Sequence, residues 1–376
     1  MAASLLQYAD ALKGEPIADR CNKAVLDYIT LVHTRMLTVP TAAWTQNRWQ
    51  DWAYIIHWQM DQAAQGKEQL LWDAAELTQQ QSWDWDAYYA QLGEGTTGAY
   101  AGKTMPKFPT ENVAHWDMYD HGVNNAMGTK SCATWMRQSH NETEGNRSYH
   151  KLEMQEKYHG QPHGMFSADE CFGGRNLNRG IELCAVVEQM YSLQHMFRVH
   201  GDTVFLDKCE RIAYNSLPAT LTSDMWAHQY LQQANEINAL YGQKDHVWQT
   251  DGPDSTGFGV APNFGCCTAN FNQGWPKLAN NIVLVDGSDG SLVIAVIAPV
   301  KATLDDGSTV EIVTDYPFGD LVTVNVELKK AANVHVRIPG WATKATVQGK
   351  APTCGAGCLE AVACEVNPTC AHSFCR

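Results

Sequence analysis

Two stretches of this sequence carry residue types that can do chemistry together. Gly180-Ile-Glu-Leu-Cys184 supplies one carboxylate and one thiol, and Asn263-Phe-Gly-Cys-Cys267 supplies two adjacent thiols. Three sulfurs and one oxygen form a ligand set for a four-coordinate zinc ion. Glu182 and Cys184 are two residues apart, so on a helix they would point about 200° away from each other. They can converge on one ion only where the backbone is extended or is just entering a helix. Gly180 ahead of them and a helical pattern from Ala185 permit that. The adjacent cysteines also need a bent backbone, and Gly265 is expected to bend it. The competing reading makes Cys184 a small core residue and Cys266-Cys267 a coincidence. The spacing is not of the C-x-x-C kind, so by itself it leaves both readings open.

The elements that must position these residues change character along the chain. Val25, Tyr28, Ile29, Val32 and Met36 recur at helical spacing before Pro40, and Trp49 to Met60 and Leu70 to Leu77 form the next stripes. From Ser82 to Val113 the pattern fails amid glycines and prolines, which reads as a long loop. Helical pattern resumes near 122–138, and a loop rich in His and Gly runs from Tyr158 to Arg179, with His159 and His163 as loop residues. Two helices follow, joined by Val199-His-Gly-Asp-Thr203 with Asp202 as N-cap, and these should form an antiparallel hairpin. Repeated helix pairs point to a toroid of helical hairpins. After Asn281 the period becomes 2, and about six strands precede Gly349. The expected fold is therefore mainly α: a helical domain over 1–280, a partial β-sandwich over 281–350, and an atypical Cys-rich tail over 351–376.

Composition excludes some partners. A formal net charge of −14 over 376 residues argues against binding a nucleic-acid backbone or an anionic membrane. No apolar run is long enough to span a bilayer. Met1-Ala-Ala-Ser-Leu-Leu-Gln7 lacks a signal peptide's basic start, so the sequence as written reads as cytoplasmic. Seven of the twelve cysteines, spread over the first 350 residues, read as free thiols or ligands. The thirteen tryptophans and fourteen tyrosines fit core packing or stacking on sugar faces, and composition does not choose between these.

Several motifs together resemble glycoside hydrolase family 127, the β-L-arabinofuranosidases, and its uncharacterised relatives. They are Asp120-His-Gly-Val-Asn-Asn125, His159-Gly-Gln-Pro-His-Gly-Met-Phe-Ser-Ala-Asp-Glu170, Gly180 to Cys184, His200-Gly-Asp-Thr203 with Glu210 to Asn215, and Asn263 to Asn270. Gln273 to Lys277, Thr314 to Phe318 and Ile338 to Trp341 continue the series. The Glu-x-Cys and Cys-Cys pair is the specific part. The resemblance implies an (α/α)6 barrel, N-terminally incomplete here, followed by a truncated β-sandwich. It implies zinc on Glu182, Cys184, Cys266 and Cys267, with Cys266 as nucleophile. It also implies Glu170 as acid/base, with Asp169 as the competing candidate, and His121 and Tyr230 as sugar contacts.

That set describes a retaining hydrolase. A metal-bound thiol is deprotonated, so Cys266 would attack the anomeric carbon of a non-reducing-end sugar in an oligosaccharide or glycoconjugate. Water would then release the sugar with retention, assisted by Glu170. The alternatives are a non-catalytic, zinc-stabilised carbohydrate-binding protein and a metal-free toroid hydrolase using Asp169 and Glu170.

Overall fold

The computed structural model describes residues 1–93, 120–242, 251–364 and 370–375. Helices Ala2–Ala11, Pro16–Met36, Trp49–Ala63 and Glu68–Gln80 share a small core of Leu6, Val25, Leu26, Ile29, Ile56 and Leu71. Tyr28 leaves the expected stripe: it is on the surface, with its ring edge-on to Trp52 at 5.6 Å. The expected loop beginning at Ser82 instead starts a helix, Trp85–Gly93. Asp84 caps it by accepting from the backbone N–H groups of Asp86 and Ala87, and Trp85 and Tyr89 are buried. The glycines and prolines from 94 to 113 lie outside the described residues.

One helix organises the rest. Leu183–His200 is buried at every position from Leu183 to Phe197 except Tyr191, which marks a central core helix rather than a surface one. Helices Gly122–Gly128, Ser131–Ser139, Thr203–Arg211, Gly265–Asn270 and Gly274–Ala279 pack on it. At its end Gly201 takes a left-handed φ of +69°, and the Asp202 carboxylate accepts from Val204 N at 3.0 Å. The hairpin read from that connection is therefore present.

The His/Gly-rich loop also holds structure that sequence reading missed. His159 ends the helix Glu142–His159, where its Nδ1 accepts from Gly174 N at 3.0 Å and its ring stacks on Phe172. Beyond it lies a four-stranded sheet in the order Cys171–Phe172, Ala168–Asp169, Gly180–Glu182, Leu231–Gln233. Strands of two or three residues show no readable period, which is why they escaped notice.

The C-terminal β region forms two sheets whose alternate residues, among them Val310, Val324, Val334 and Val336, join one core. The residues expected to form an atypical tail are part of these sheets. Cys358–Cys364 pairs with Ala332–Ile338, and Cys370–Cys375 pairs with Val322–Glu327, so the tail adds a strand to each sheet. A disulfide joins Cys354 to Cys358, the first residue of the former strand.

Arg337, fully buried, ties this β region to the helix Thr203–Arg211. It pairs with Asp207 at 2.5 Å and with Glu210, and it donates to the Ala295 carbonyl at 2.8 Å. Arg337→Ala would leave Glu210 buried without its cation, so it should destabilise the protein by roughly 3–5 kcal/mol in denaturant unfolding. An Arg337→Met, Glu210→Gln pair should recover much of that loss.

Candidate metal and catalytic site

Glu182 is the last residue of its strand and the N-cap of Leu183–His200, with φ −65° and ψ 132°. Cys184 lies in that helix's first turn. The extended-to-helical step turns both side chains to one side, the condition that their spacing required. Gly180 belongs here for a packing reason: a Cβ would meet Leu231 Cδ1 at 2.6 Å. Gly265 does not have the expected role. A Cβ there would meet nothing within 4 Å, and its φ is not left-handed. The turn is made at Asn263, with φ +60°, whose amide donates to Asp254 at 2.6 Å. Cys266 and Cys267 then occupy the first turn of Gly265–Asn270.

These two stretches, 83 residues apart, bring Cys184 Sγ and Cys267 Sγ to 3.3 Å. Cys266 Sγ lies 3.9 Å from Glu182 Oε1 and 4.0 Å from Cys267 Sγ. All four ligand atoms lie within 4.8 Å of one another. Glu182 Oε2 is buried without a hydrogen-bond partner. A buried carboxylate oxygen left unsatisfied beside three thiols is costly alone and fits a cation with a taste for sulfur. The cluster could therefore hold a metal ion.

Protons are distributed unevenly across these groups. Burial, then the nearby Glu170 charge, pushes Glu182 well above the usual carboxyl range. Cys184 is pushed up by hydrogen bonding to Cys266 and Cys267 and then by burial, and Cys267 is pushed up by burial. Cys266 goes the other way, because hydrogen bonds from Cys184 and Cys267 hold its thiolate. Cys266 is also the exposed member, whereas Cys184 and Cys267 are buried.

Beside the thiols stands Glu170, at a left-handed φ of +68° in the turn between two short strands. A non-glycine residue in that region is strained, and Gly122 N–H, donating to the Glu170 carbonyl at 2.7 Å, helps hold it. His121 caps the helix Gly122–Gly128 by accepting from Asn124 N at 3.2 Å through Nδ1. The ring proton is thus on Nε2, 3.4 Å from Glu170 Oε2. The Tyr230 hydroxyl donates to Glu170 Oε1. Burial raises the Glu170 carboxyl, but these hydrogen bonds outweigh burial and hold it below its ordinary range.

The two residues expected to contact sugar both stand beside the expected acid/base residue. Tyr230 is fully buried and His121 is 5% exposed, and both address Glu170. Asp169, the competing acid/base, is buried in an ion pair with Arg179 at 2.6 Å, which suits a structural role. Asp251 is not among the candidates read from sequence, because no motif or spacing singles it out. Its carboxyl interacts with Tyr230 and Glu170, and burial followed by the Glu170 charge pushes it up to about 7.

Fold and centre together define the class: a mainly helical chain with C-terminal sheets, whose cysteine–glutamate cluster lies beside a hydrogen-bonded carboxylate. Residues 156–280, which include Glu170, Glu182, Cys184, Tyr230, Cys266 and Cys267, match the family model for the β-L-arabinofuranosidase GH127 catalytic domain. The resemblance carried by the motifs is thus shown, as a GH127 catalytic-domain match over this segment. Among solved structures, the chain is similar to a GH127 β-L-arabinofuranosidase from Geobacillus stearothermophilus T6, with 16% identity, TM-score 0.68, and coverage of 99% of this chain and 60% of that one. It is also similar to a glycoside hydrolase at 14% identity and TM-score 0.66, over 96% of this chain and 61% of that one. A GH127 β-arabinofuranosidase matches at 16% identity and TM-score 0.56, over 86% and 50%. At such identities the likeness is one of fold. The chain spans 50–61% of the length of these structures. No curated protein matches it. Among the described residues, no helix is long and apolar enough to cross a membrane.

Proposed function

We propose that this chain is a retaining glycoside hydrolase that removes a non-reducing-end β-L-arabinofuranose or similar sugar. Its nucleophile is Cys266, its metal is zinc on Glu182, Cys184, Cys266 and Cys267, and its helical part is an (α/α)6 toroid. One observation carries the reading: of three clustered thiols, only Cys266 is both exposed and favoured as thiolate, and Glu170 stands with His121 and Glu182 in the adjoining group. Zinc, when bound, would keep its thiol ligands deprotonated and neutralise part of their charge.

The residues then divide the work. Cys266 Sγ forms a bond to the anomeric carbon as the glycosidic C–O bond breaks. The departing oxygen takes a proton from the Glu170–Asp251 pair, whose Glu170 member feels the Cys266 charge. His121 and Tyr230 hold Glu170 in its strained turn, so its carboxylate needs no reorganisation. Glu170 next takes a proton from water, the water oxygen bonds to the anomeric carbon, and the C–S bond breaks with net retention.

A screen of aryl glycosides that includes L-arabinofuranosides, with metal content measured on the same preparation, tests this reading. The purified protein should carry about one zinc per chain, and Cys184→Ser should lose most of it. Full zinc retention after replacing all four ligands would place the metal elsewhere and end this reading.

A further inference from the structure

We propose that His228-Gln-Tyr230 braces the nucleophile helix against the acid/base residue, with His228, Phe264 and Thr268 as positioning residues. The inference rests on the assignment of Cys266 and Glu170 made above. The helix bearing Cys266 and Cys267 has six residues, too few to hold its own conformation in isolation, so its place is set by what flanks it. Its N-cap and its interior both touch the same segment. Phe264, the N-cap residue, stacks on Tyr230 with ring centroids 3.8 Å apart and planes 4° from parallel. Thr268, one residue past the cysteine pair, lies 3.1 Å from His228 Nε2 through its hydroxyl.

The chemistry of that second contact follows from the other ring nitrogen. His228 Nδ1 lies 3.0 Å from the Gln229 carbonyl, which can only accept, so Nδ1 carries the proton. Nε2 is then an acceptor, and Thr268 donates to it. His228 is 1% exposed, and its ring also meets Phe271 at 5.2 Å. The contacts to Thr268 and Phe264 put His228 and Tyr230 on the helix side. Gln229 faces away, toward Glu236 and the Thr256 carbonyl.

The segment is itself anchored. His228 and Gly259 exchange backbone hydrogen bonds at 3.0 and 3.1 Å, and the Tyr230 carbonyl accepts from Leu183 N at 3.0 Å, between Glu182 and Cys184. Tyr230 is the shared member: its ring locates the start of the nucleophile helix while its hydroxyl locates Glu170. One rigid side chain therefore sets the separation of the two groups that must act on opposite atoms of one glycosidic bond. A displacement of about 1 Å in such a pair costs on the order of 10²-fold in rate.

The test uses paired variants of the full chain, each read by kcat, KM, metal content and peptide-mapped alkylation of Cys266 with iodoacetamide. Thr268→Val and Phe264→Leu should lower kcat by about 10- to 100-fold with KM and metal content near wild type. Thr268→Ser and Phe264→Tyr, which keep the hydroxyl and the ring, should restore it. Unchanged kcat in Thr268→Val and Phe264→Leu, or a loss that tracks metal content and is not rescued, overturns the brace. If wild type cleaves no glycoside, the hydrolase reading fails on its own, and the alkylation rate still reads the brace. A changed rate in Thr268→Val that Thr268→Ser restores supports the brace, and an unchanged rate overturns it.

Discussion

Cys266→Ala should reduce kcat by about 10⁴-fold or more, because the variant has no atom that can bond the anomeric carbon. The same substitution at Cys184 or Cys267 should act through metal loss instead. The distinction comes from exposure: Cys184 is 2% exposed and Cys267 0%, so neither can meet a sugar, whereas Cys266 is open. A furanose-mimicking electrophile followed by peptide mass mapping should label Cys266, and free sugar should block the labelling. The pH dependence carries a sign. An ordinary cysteine gains reactivity as pH rises through about 8.5, where its thiolate forms. Cys266 has its thiolate favoured well below that by the Cys184 and Cys267 hydrogen bonds, so its labelling rate should be nearly flat from pH 7 to 9. Labelling confined to the C-terminal cysteines, or insensitive to sugar, would favour a non-catalytic carbohydrate-binding protein.

Glu170→Gln should lower kcat by about 10²- to 10⁴-fold while leaving the metal in place. A leaving group that departs without a proton should recover part of the first step, since only proton delivery has been removed. Asp169→Asn should lack that signature. Its loss breaks the buried Arg179 pair, so it should show in stability, with little dependence on leaving group. If the phenotypes are exchanged, the acid/base role belongs to Asp169. The proton also has a pH limit. Asp251 is pushed up to about 7, so the Glu170–Asp251 pair holds its proton below that pH and releases it above. Activity on a poor leaving group should therefore fall as pH rises through about 7, and Asp251→Asn should remove that limb of the profile.

Residue type and near-neighbour spacing already determined part of this protein. Glu182 and Cys184 can share an ion only across a strand-to-helix step, and a step of that kind is what the chain makes there. The Gly201-Asp202 stop and cap, and the change of period after Asn281, are likewise local, because caps and alternation act over a few residues. The packed fold decided the rest. Which thiol is exposed depends on how Gly265–Asn270 lies on the central helix, 83 residues away in sequence between Cys184 and Cys267. Glu170 acquires its left-handed turn from pairing between two-residue strands, and Asp251 acquires its raised pKa from the carboxylate it is buried against. Tyr230 acquires its stacking partner Phe264 and its hydrogen-bond partner Glu170 only because those distant residues pack against its ring and its hydroxyl. Four of the five C-terminal cysteines became strand residues because each sheet offered a strand to pair with. Burial, proton affinity and strand pairing are properties of a side chain's surroundings, and those exist only once distant segments have packed together.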